Sequence, residues 1–223
     1  MNPTPIQPSS YGDNCADFYD DIYGPPKAVV VEALTRLARG GSVLELGVGT
    51  GRTAIALIGK GLEVTGIESS SAMLEQLRRK THSHRVRVVE GDFAAILLTE
   101  RFDLVCALVN TVCLLETRQR QAQCFQNVAR MLKTDAVFVV ETYRPNHDES
   151  ETLDEEGRSS FRYELETKIG RRKYEVRLLR TALKELDALA ADAGLVLKER
   201  WCDWRGTPYT PNSHHHLSLY AQA

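Results

Sequence analysis

From Ala28 to Leu37 apolar residues recur at helical spacing, with Val30, Val31, Leu34 and Leu37 on one stripe, and Gly40-Gly41 ends the run. Beyond it, short β-rich runs alternate with helical patterns. Ser42–Leu46, Glu63–Ile67, Val86–Val89, Asp103–Val109 and Ala136–Glu141 read as strands, and Arg52–Ile58, Ser71–Lys80 and Arg118–Leu132 as helices. Near-continuous apolar strands separated by helices predict a parallel sheet covered on both faces, so the core of the fold is expected to end near residue 143. His147–Arg158 is acidic and polar and reads as an exposed loop. Phe161, Tyr163 and Leu165, then Tyr174, Val176 and Leu178 across Gly170-Arg171, alternate with charged residues, the two-residue period of a hairpin with one apolar face. Thr181 is expected to cap a helix carrying Leu183, Leu186, Leu189 and Ala190, ended by Gly194. Leu195–Trp201 and His215–Ala221 close the chain as an antiparallel pair. The fold class is therefore α/β: a doubly wound, mainly parallel sheet with an antiparallel C-terminal strand, and a small β-hairpin subdomain inserted after the fifth strand.

Composition narrows the class. A chain of 223 residues, 43% hydrophobic and 26% charged, suits one domain with a small appendage. The expected division is residues 28–143 with 181–223 as the main domain, 144–180 as the insert and 1–27 as a lead-in. Three prolines within residues 1–12 suggest that this start is mobile. A net charge of −2 lacks the basic surplus of a nucleic-acid binder. No apolar run approaches the ~20 residues of a membrane span, and Met1–Ser10 lacks the basic-then-apolar pattern of a secretory signal. The five cysteines form no C-x-x-C pair and their number is odd, so a reduced, cytoplasmic enzyme is expected.

The sharpest local signal is Val43-Leu44-Glu45-Leu46-Gly47-Val48-Gly49-Thr50-Gly51-Arg52, three glycines at alternate positions between a strand and a helix. Glycine lets backbone approach a ligand closely and turn without a Cβ clash. The dinucleotide fingerprint wants a small residue at position 52, where Arg52 stands, which counts against a bound pyrophosphate. Glu68 ends the second strand, 17 positions after Gly51, where a carboxylate can accept both hydroxyls of a ribose. Glu90-Gly91-Asp92-Phe93 follows the third strand, and its acid and aromatic suit an adenine. Asn110 falls at the carboxyl edge of the sheet, where open α/β folds bind ligands.

In that order, these four elements resemble the class I S-adenosylmethionine-dependent methyltransferases, over about residues 15–143. Ala16-Asp17-Phe18-Tyr19-Asp20-Asp21-Ile22-Tyr23 resembles the tyrosine-bearing entry of small-molecule members such as bacterial sugar N-methyltransferases. Glu185-Leu186-Asp187, Ala193-Gly194-Leu195 and Trp201–Arg205 resemble the tail of the same group. The resemblance implies a Rossmann-like fold and S-adenosylmethionine as cofactor. It implies Gly47, Gly49 and Gly51 around the methionine part, Glu45 on its amino group, Glu68 on the ribose, Asp92 and Phe93 on the adenine, and Tyr19 and Tyr23 as a lid. Thr50 and Arg52 in the loop, Ser69 and Met73 after the acid, Gly91 and Asn110 complete the expected cofactor set.

Methyl transfer needs an acceptor atom held about 3–3.5 Å from the methyl carbon, and positioning alone contributes roughly 7–11 kcal/mol. Tyr11, Tyr19 and Tyr23 can face the cationic sulfonium at roughly 0.5–2 kcal/mol each. Tyr11, Tyr19, Tyr23, Asn110 and Arg144 are the candidate catalytic and acceptor-binding residues, Arg144 through a carboxylate on the acceptor. Tyr143 and Asn146 fall near the same pocket. His214 and His216 share one strand face and His215 the other, a packed or exposed strand without the further ligands of a metal site. No metal is expected. Cys113 reads as a buried thiol, and Trp201 and Trp204 as packing for the last strands. The hairpin reads as the roof of the acceptor pocket or a homodimer contact. The expected function is methyl transfer to a nitrogen or oxygen of a small molecule, in bacterial secondary metabolism, with neither nucleic acid nor membrane as partner. Two alternatives stand beside it: a cyclase in which the cofactor's own amine attacks its γ-carbon to expel methylthioadenosine, and a non-catalytic cofactor-binding partner.

Overall fold

Every second residue of β1 (Ser42–Leu46) meets a different helical layer, and the rest of the chain is arranged around that alternation. Val43 joins the core beneath α3 (Ala28–Ala38), α4 (Arg52–Ile58) and α5 (Ser71–Arg78), while Leu44 and Leu46 join the core beneath α6 (Arg118–Met131) and α7 (Leu183–Asp192). In this computed structural model, residues 10–143, 153–155 and 157–223 are described. The seven-stranded sheet runs β3-β2-β1-β4-β5-β9-β8, with β2 (Glu63–Glu68), β3 (Arg87–Glu90), β4 (Phe102–Ala107), β5 (Leu132–Tyr143), β8 (Leu195–Trp201) and β9 (His215–Gln222). β1 to β5 pair in parallel, and β9 pairs antiparallel with both β5 and β8. A separate antiparallel ribbon is made by β6 (Arg158–Thr167) and β7 (Gly170–Leu179). The mainly parallel α/β fold, its antiparallel C-terminal strand and the hairpin thus match the reading of the sequence.

Several boundaries differ for identifiable reasons. β4 ends at Ala107 rather than Val109, because the chain turns there through two consecutive left-handed residues, Val109 (φ 50°) and Asn110 (φ 62°). The Val109 amide donates to Glu141 Oε2 (2.9 Å) instead of to a strand. α6 stops at Met131 and β5 begins at once with Leu132, not at Ala136. Thr181 does not cap α7: its hydroxyl serves Gln121 and Arg118, and Glu185 Oε2 accepts from the Ala182 amide (2.8 Å) instead. The last three residues of the expected mobile lead-in are helical, since α1 (Ser10–Cys15) begins there; the others lie outside the described residues. α2 (Tyr19–Tyr23) follows, and both pack on α5 and the hairpin through Phe18, Met73 and Tyr174. Arg144, Asn146 and most of the acidic loop lie outside the described residues.

Phe125 is fully buried, edge-on to Phe138 (5.2 Å) and Tyr220 (6.0 Å). Phe125→Ala is expected to destabilise the fold by about 3–5 kcal/mol through transfer and cavity terms, read as a lower urea midpoint at unchanged slope.

Candidate functional site

The glycine loop leaves β1 with Gly47, Gly49 and Gly51 all at positive φ. The Gly47 and Val48 amides donate to the Ile67 carbonyl (2.9 and 3.0 Å), so the loop is anchored on β2. The Gly49 amide donates to Glu68 Oε2 (2.9 Å), and the Ser70 amide to Glu68 Oε1 (2.8 Å). Burial raises the Glu68 pKa despite these donors. A Cβ on Gly49 would meet nothing nearer than 3.9 Å, ordinary contact distance, whereas on Gly47 it would strike Thr111 Cγ2 at 2.9 Å. On Gly51 it would strike Leu77 at 2.8 Å. Gly51 is thus held to glycine both by its left-handed φ of 75° and by the Leu77 side chain of α5.

Behind the loop is a small recess lined by Tyr19, Glu45, Gly47, Thr50, Arg52 and Thr111. Glu45 is only 5% exposed, and its Oε2 has no hydrogen-bond partner. Desolvation pushes its pKa up to about 8, against the opposing pull of the Arg52 charge and the Ala54 amide. An orphaned carboxylate oxygen in a recess that shares Gly47, Tyr19 and Thr111 with the main cavity is what a ligand ammonium would complete, so the chain's own groups fit the amino-acid end of the expected cofactor.

A cavity of about 430 Å³ lies in front of the loop. Gly49, Glu68, Ser69, Met73, Asp92, Phe93 and Arg120 form one part of its lining. Asp92 Oδ1 accepts from the Ala94 amide (2.9 Å) and Oδ2 from Arg120 (2.7 Å). Tyr11, Tyr19, Ile22, Tyr23, Val109, Asn110 and Leu114 form the other with the hairpin, and Gly47 and Thr111, which lie against each other, line it too. Gly91 does not reach the cavity: its amide donates to the Glu68 carbonyl (2.8 Å), and a Cβ would strike Ile96 at 2.6 Å.

The N-terminal helices close over this space, wired to the loop itself. Thr50 donates to Asp20 (2.6 Å), and Ser70, buried at the start of α5, donates to Asp13 (2.6 Å). Arg52 donates to the Gly24 and Tyr23 carbonyls and sits over the Tyr19 and Tyr23 rings, 5.7 and 5.3 Å from their centroids. Thr50 and Arg52 thus face the covering helices and the recess rather than the main cavity, and one face of each tyrosine is already taken by a guanidinium. The Tyr11 and Tyr23 hydroxyls meet at 3.3 Å, and burial drives the Tyr11 and Tyr19 phenols well above their ordinary range.

Asn110 reaches the cavity on its left-handed turn and accepts from the Tyr143 amide (2.8 Å). The turn rests on Glu141, a buried carboxylate that accepts from Val109, Trp204 (2.8 Å), His215 (2.9 Å) and Tyr143 (3.1 Å). These donors hold the Glu141 pKa low against desolvation. His215 is therefore a partner of Glu141, His216 bonds Thr142, and His214 is exposed. Among the described residues no group of three metal-ligating side chains occurs. Cys113 is a buried thiol with its pKa raised to about 12 by desolvation.

Sequence reasoning missed Asp13, Ser70, Thr111, Arg120 and Glu141. Ser70 carried a signal, a serine before an apolar-periodic helix, but Arg120 and Glu141 are placed by tertiary packing alone. The hairpin's alternation was visible and read as either a pocket roof or a dimer contact; in the structure Tyr163, Leu165, Tyr174, Val176 and Leu178 of its apolar face line the cavity.

Glu45 gives a paired expectation. Its folded pKa of about 8 exceeds the unfolded value, so the folded state binds the extra proton between about pH 4.5 and 8 and stability falls as pH rises through that window. Glu45→Gln is expected to raise the melting temperature of the ligand-free protein at pH 8 relative to pH 5, and to weaken binding of a cationic amino-acid ligand. Scanning calorimetry and titration calorimetry read the two opposite signs.

The methyltransferase domain family matches residues 43–135. The chain is similar to the cypemycin N-terminal methyltransferase of Streptomyces sp, 31% identical over 130 residues that make up 56% of this chain and 53% of that protein. It is also similar to a dTDP-4-amino-2,3,4,6-tetradeoxy-D-glucose N,N-dimethyltransferase of Saccharopolyspora spinosa, 29% identical over 60% of this chain and 57% of that one. The chain thus spans about half the length of these curated relatives. The structure of the CcbJ methyltransferase from Streptomyces caelestis superposes with a TM-score of 0.86 at 32% identity, over 98% of this chain and 100% of that chain. No helix among the described residues is long and apolar enough to cross a membrane. With 32% identity over nearly the whole chain to a methyltransferase of solved structure, the protein belongs to the class I S-adenosylmethionine-dependent methyltransferases.

Proposed function

We propose that this protein transfers a methyl group from S-adenosylmethionine to a nitrogen of a small molecule in bacterial secondary metabolism. The observation that carries the reading is the pair of buried carboxylates flanking the glycine loop, Glu45 with its unpartnered oxygen and Glu68 at the cavity wall. When bound, S-adenosylmethionine supplies an electrophilic methyl group on a cationic sulfur. Glu45 would take the ammonium, Glu68 the ribose hydroxyls through its remaining lone pairs, and Asp92 and Phe93 the adenine. Gly49 admits the ligand to the backbone.

Nitrogen is favoured over oxygen by the other part of the cavity. Tyrosines, Asn110, Thr111 and aliphatic side chains line it, and its Tyr11 and Tyr19 phenols, with pKa values raised by burial, are too weakly acidic to serve as bases near neutral pH. A neutral amine carries its own lone pair and needs orientation, whereas an alcohol needs a base to take its proton. Asn110 and the Tyr11–Tyr23 hydroxyl pair are placed to accept and direct an amine's protons. Cyclisation of the cofactor is disfavoured by the same reading, because Glu45 would hold the attacking amine as an ammonium.

Incubation with S-adenosylmethionine and an amine, followed by mass spectrometry, is expected to give S-adenosylhomocysteine and a methylated amine. Methylthioadenosine without an acceptor would overturn the proposal. Gly49→Val is expected to abolish cofactor binding with the fold retained. Glu68→Ala is expected to weaken binding by about 1–3 kcal/mol, read by titration calorimetry.

A further inference from the structure

The hairpin sorts its side chains by charge. In the register of β6 with β7, Phe161 faces Val176 and Tyr163 faces Tyr174, so one side of the ribbon is aromatic and aliphatic. Tyr163, Leu165, Tyr174, Val176 and Leu178 on that side all line the cavity. Most of the charges occupy the opposite side and neutralise one another there, Arg162 with Glu175 (3.1 Å) and Arg171 with Glu164, while Arg172, which pairs with Leu165 on the apolar side, is met by Asp17 (3.6 Å) and does not line the cavity. The ribbon is held over the site by Lys168 on Asp21 (2.8 Å) and by Tyr174 against Phe18 (5.6 Å).

The wall facing the reacting centre therefore offers an acceptor hydrocarbon and phenol. Among the described residues lining the cavity the cation is Arg120, in the part of the lining that carries Asp92. Its charge is met by Asp92 at 2.7 Å, while its Nε is buried without a hydrogen-bond partner. A carboxylate or phosphate brought into this space would exchange water for tyrosine rings and aliphatic chains, at a cost that grows steeply without a counter-charge.

We propose that the acceptor is a lipophilic amine without an anionic group near the reacting nitrogen, and that the apolar face of the β6–β7 hairpin selects it. The proposal rests on the methyltransferase reading above and adds the substrate class. It separates this chain from proteins that act on nucleotide-linked amino sugars, whose diphosphate needs a cationic seat. The five tyrosines of the cavity, Tyr11, Tyr19, Tyr23, Tyr163 and Tyr174, suit an alkylammonium product, which aromatic faces bind well.

The test uses amines of one frame, 4-methylbenzylamine and 4-(aminomethyl)benzoate, with a dTDP-linked amino sugar as a third acceptor. S-adenosylhomocysteine release gives kcat/KM for each, and cofactor affinity is measured separately by calorimetry. The expected result is a preference of roughly tenfold or more for 4-methylbenzylamine, since that ratio needs only about 1.4 kcal/mol. Leu165→Lys, at a partly exposed position, is expected to narrow the ratio with cofactor affinity unchanged; Tyr163→Ala, at a position 44% exposed, is expected to lower kcat/KM for the lipophilic amine. Equal or better use of the carboxylate or the nucleotide sugar would overturn the proposal. So would a preference unmoved by both variants, or turnover of none of the amines by protein that binds the cofactor. A protein that binds no cofactor would instead overturn the methyltransferase reading on which this one rests.

Discussion

One carboxylate joins four segments of the chain. Glu68 ends β2, accepts from the glycine loop through Gly49 and from the start of α5 through Ser70, and Ser70 in turn holds Asp13 of α1. The cost of burying that charge is offset in part by backbone donors from two elements, so the loop, the second strand, the fifth helix and the covering helix keep a common geometry. The site is built from the same bonds that settle this residue. Glu45 takes one such donor, the Ala54 amide, and keeps its Oε2 without a partner, so the two acids differ in how far the protein completes them.

Much of the architecture was legible because it rests on periodicity. The parallel strands are near-continuous apolar runs between helical stripes, and the hairpin alternates with a period of two. Such patterns report which face is buried, so the layers and the loop at the end of β1 could be placed. What escaped were features made by contact across long sequence separations. Nothing local marks Glu141 as the support of a left-handed turn 32 positions away, or Arg120 as the partner of Asp92. Gly51 shows the converse: a residue that belongs to a ligand motif is also required by its left-handed backbone and by the Leu77 side chain packed against it.

The two parts of the cavity lining follow opposite electrostatic rules. One part gathers carboxylates and the amides of the glycine loop, suited to a polar ligand carrying positive charge. The other is phenolic and aliphatic, with most of the hairpin's ionic groups on its far side. A low-polarity environment around the reacting atoms strengthens whatever dipoles are aimed at them and excludes water that would compete for the acceptor.

Arg52 occupies the position where a dinucleotide-binding loop keeps its last small residue, and here it grips the carbonyls that end α2. A single side chain thereby departs from the dinucleotide pattern and ties the covering helix to the glycine loop. Conversion of this scaffold to a nicotinamide-type ligand by restoring a glycine would unfasten its own cover, so cofactor choice and enclosure cannot be altered separately at that position.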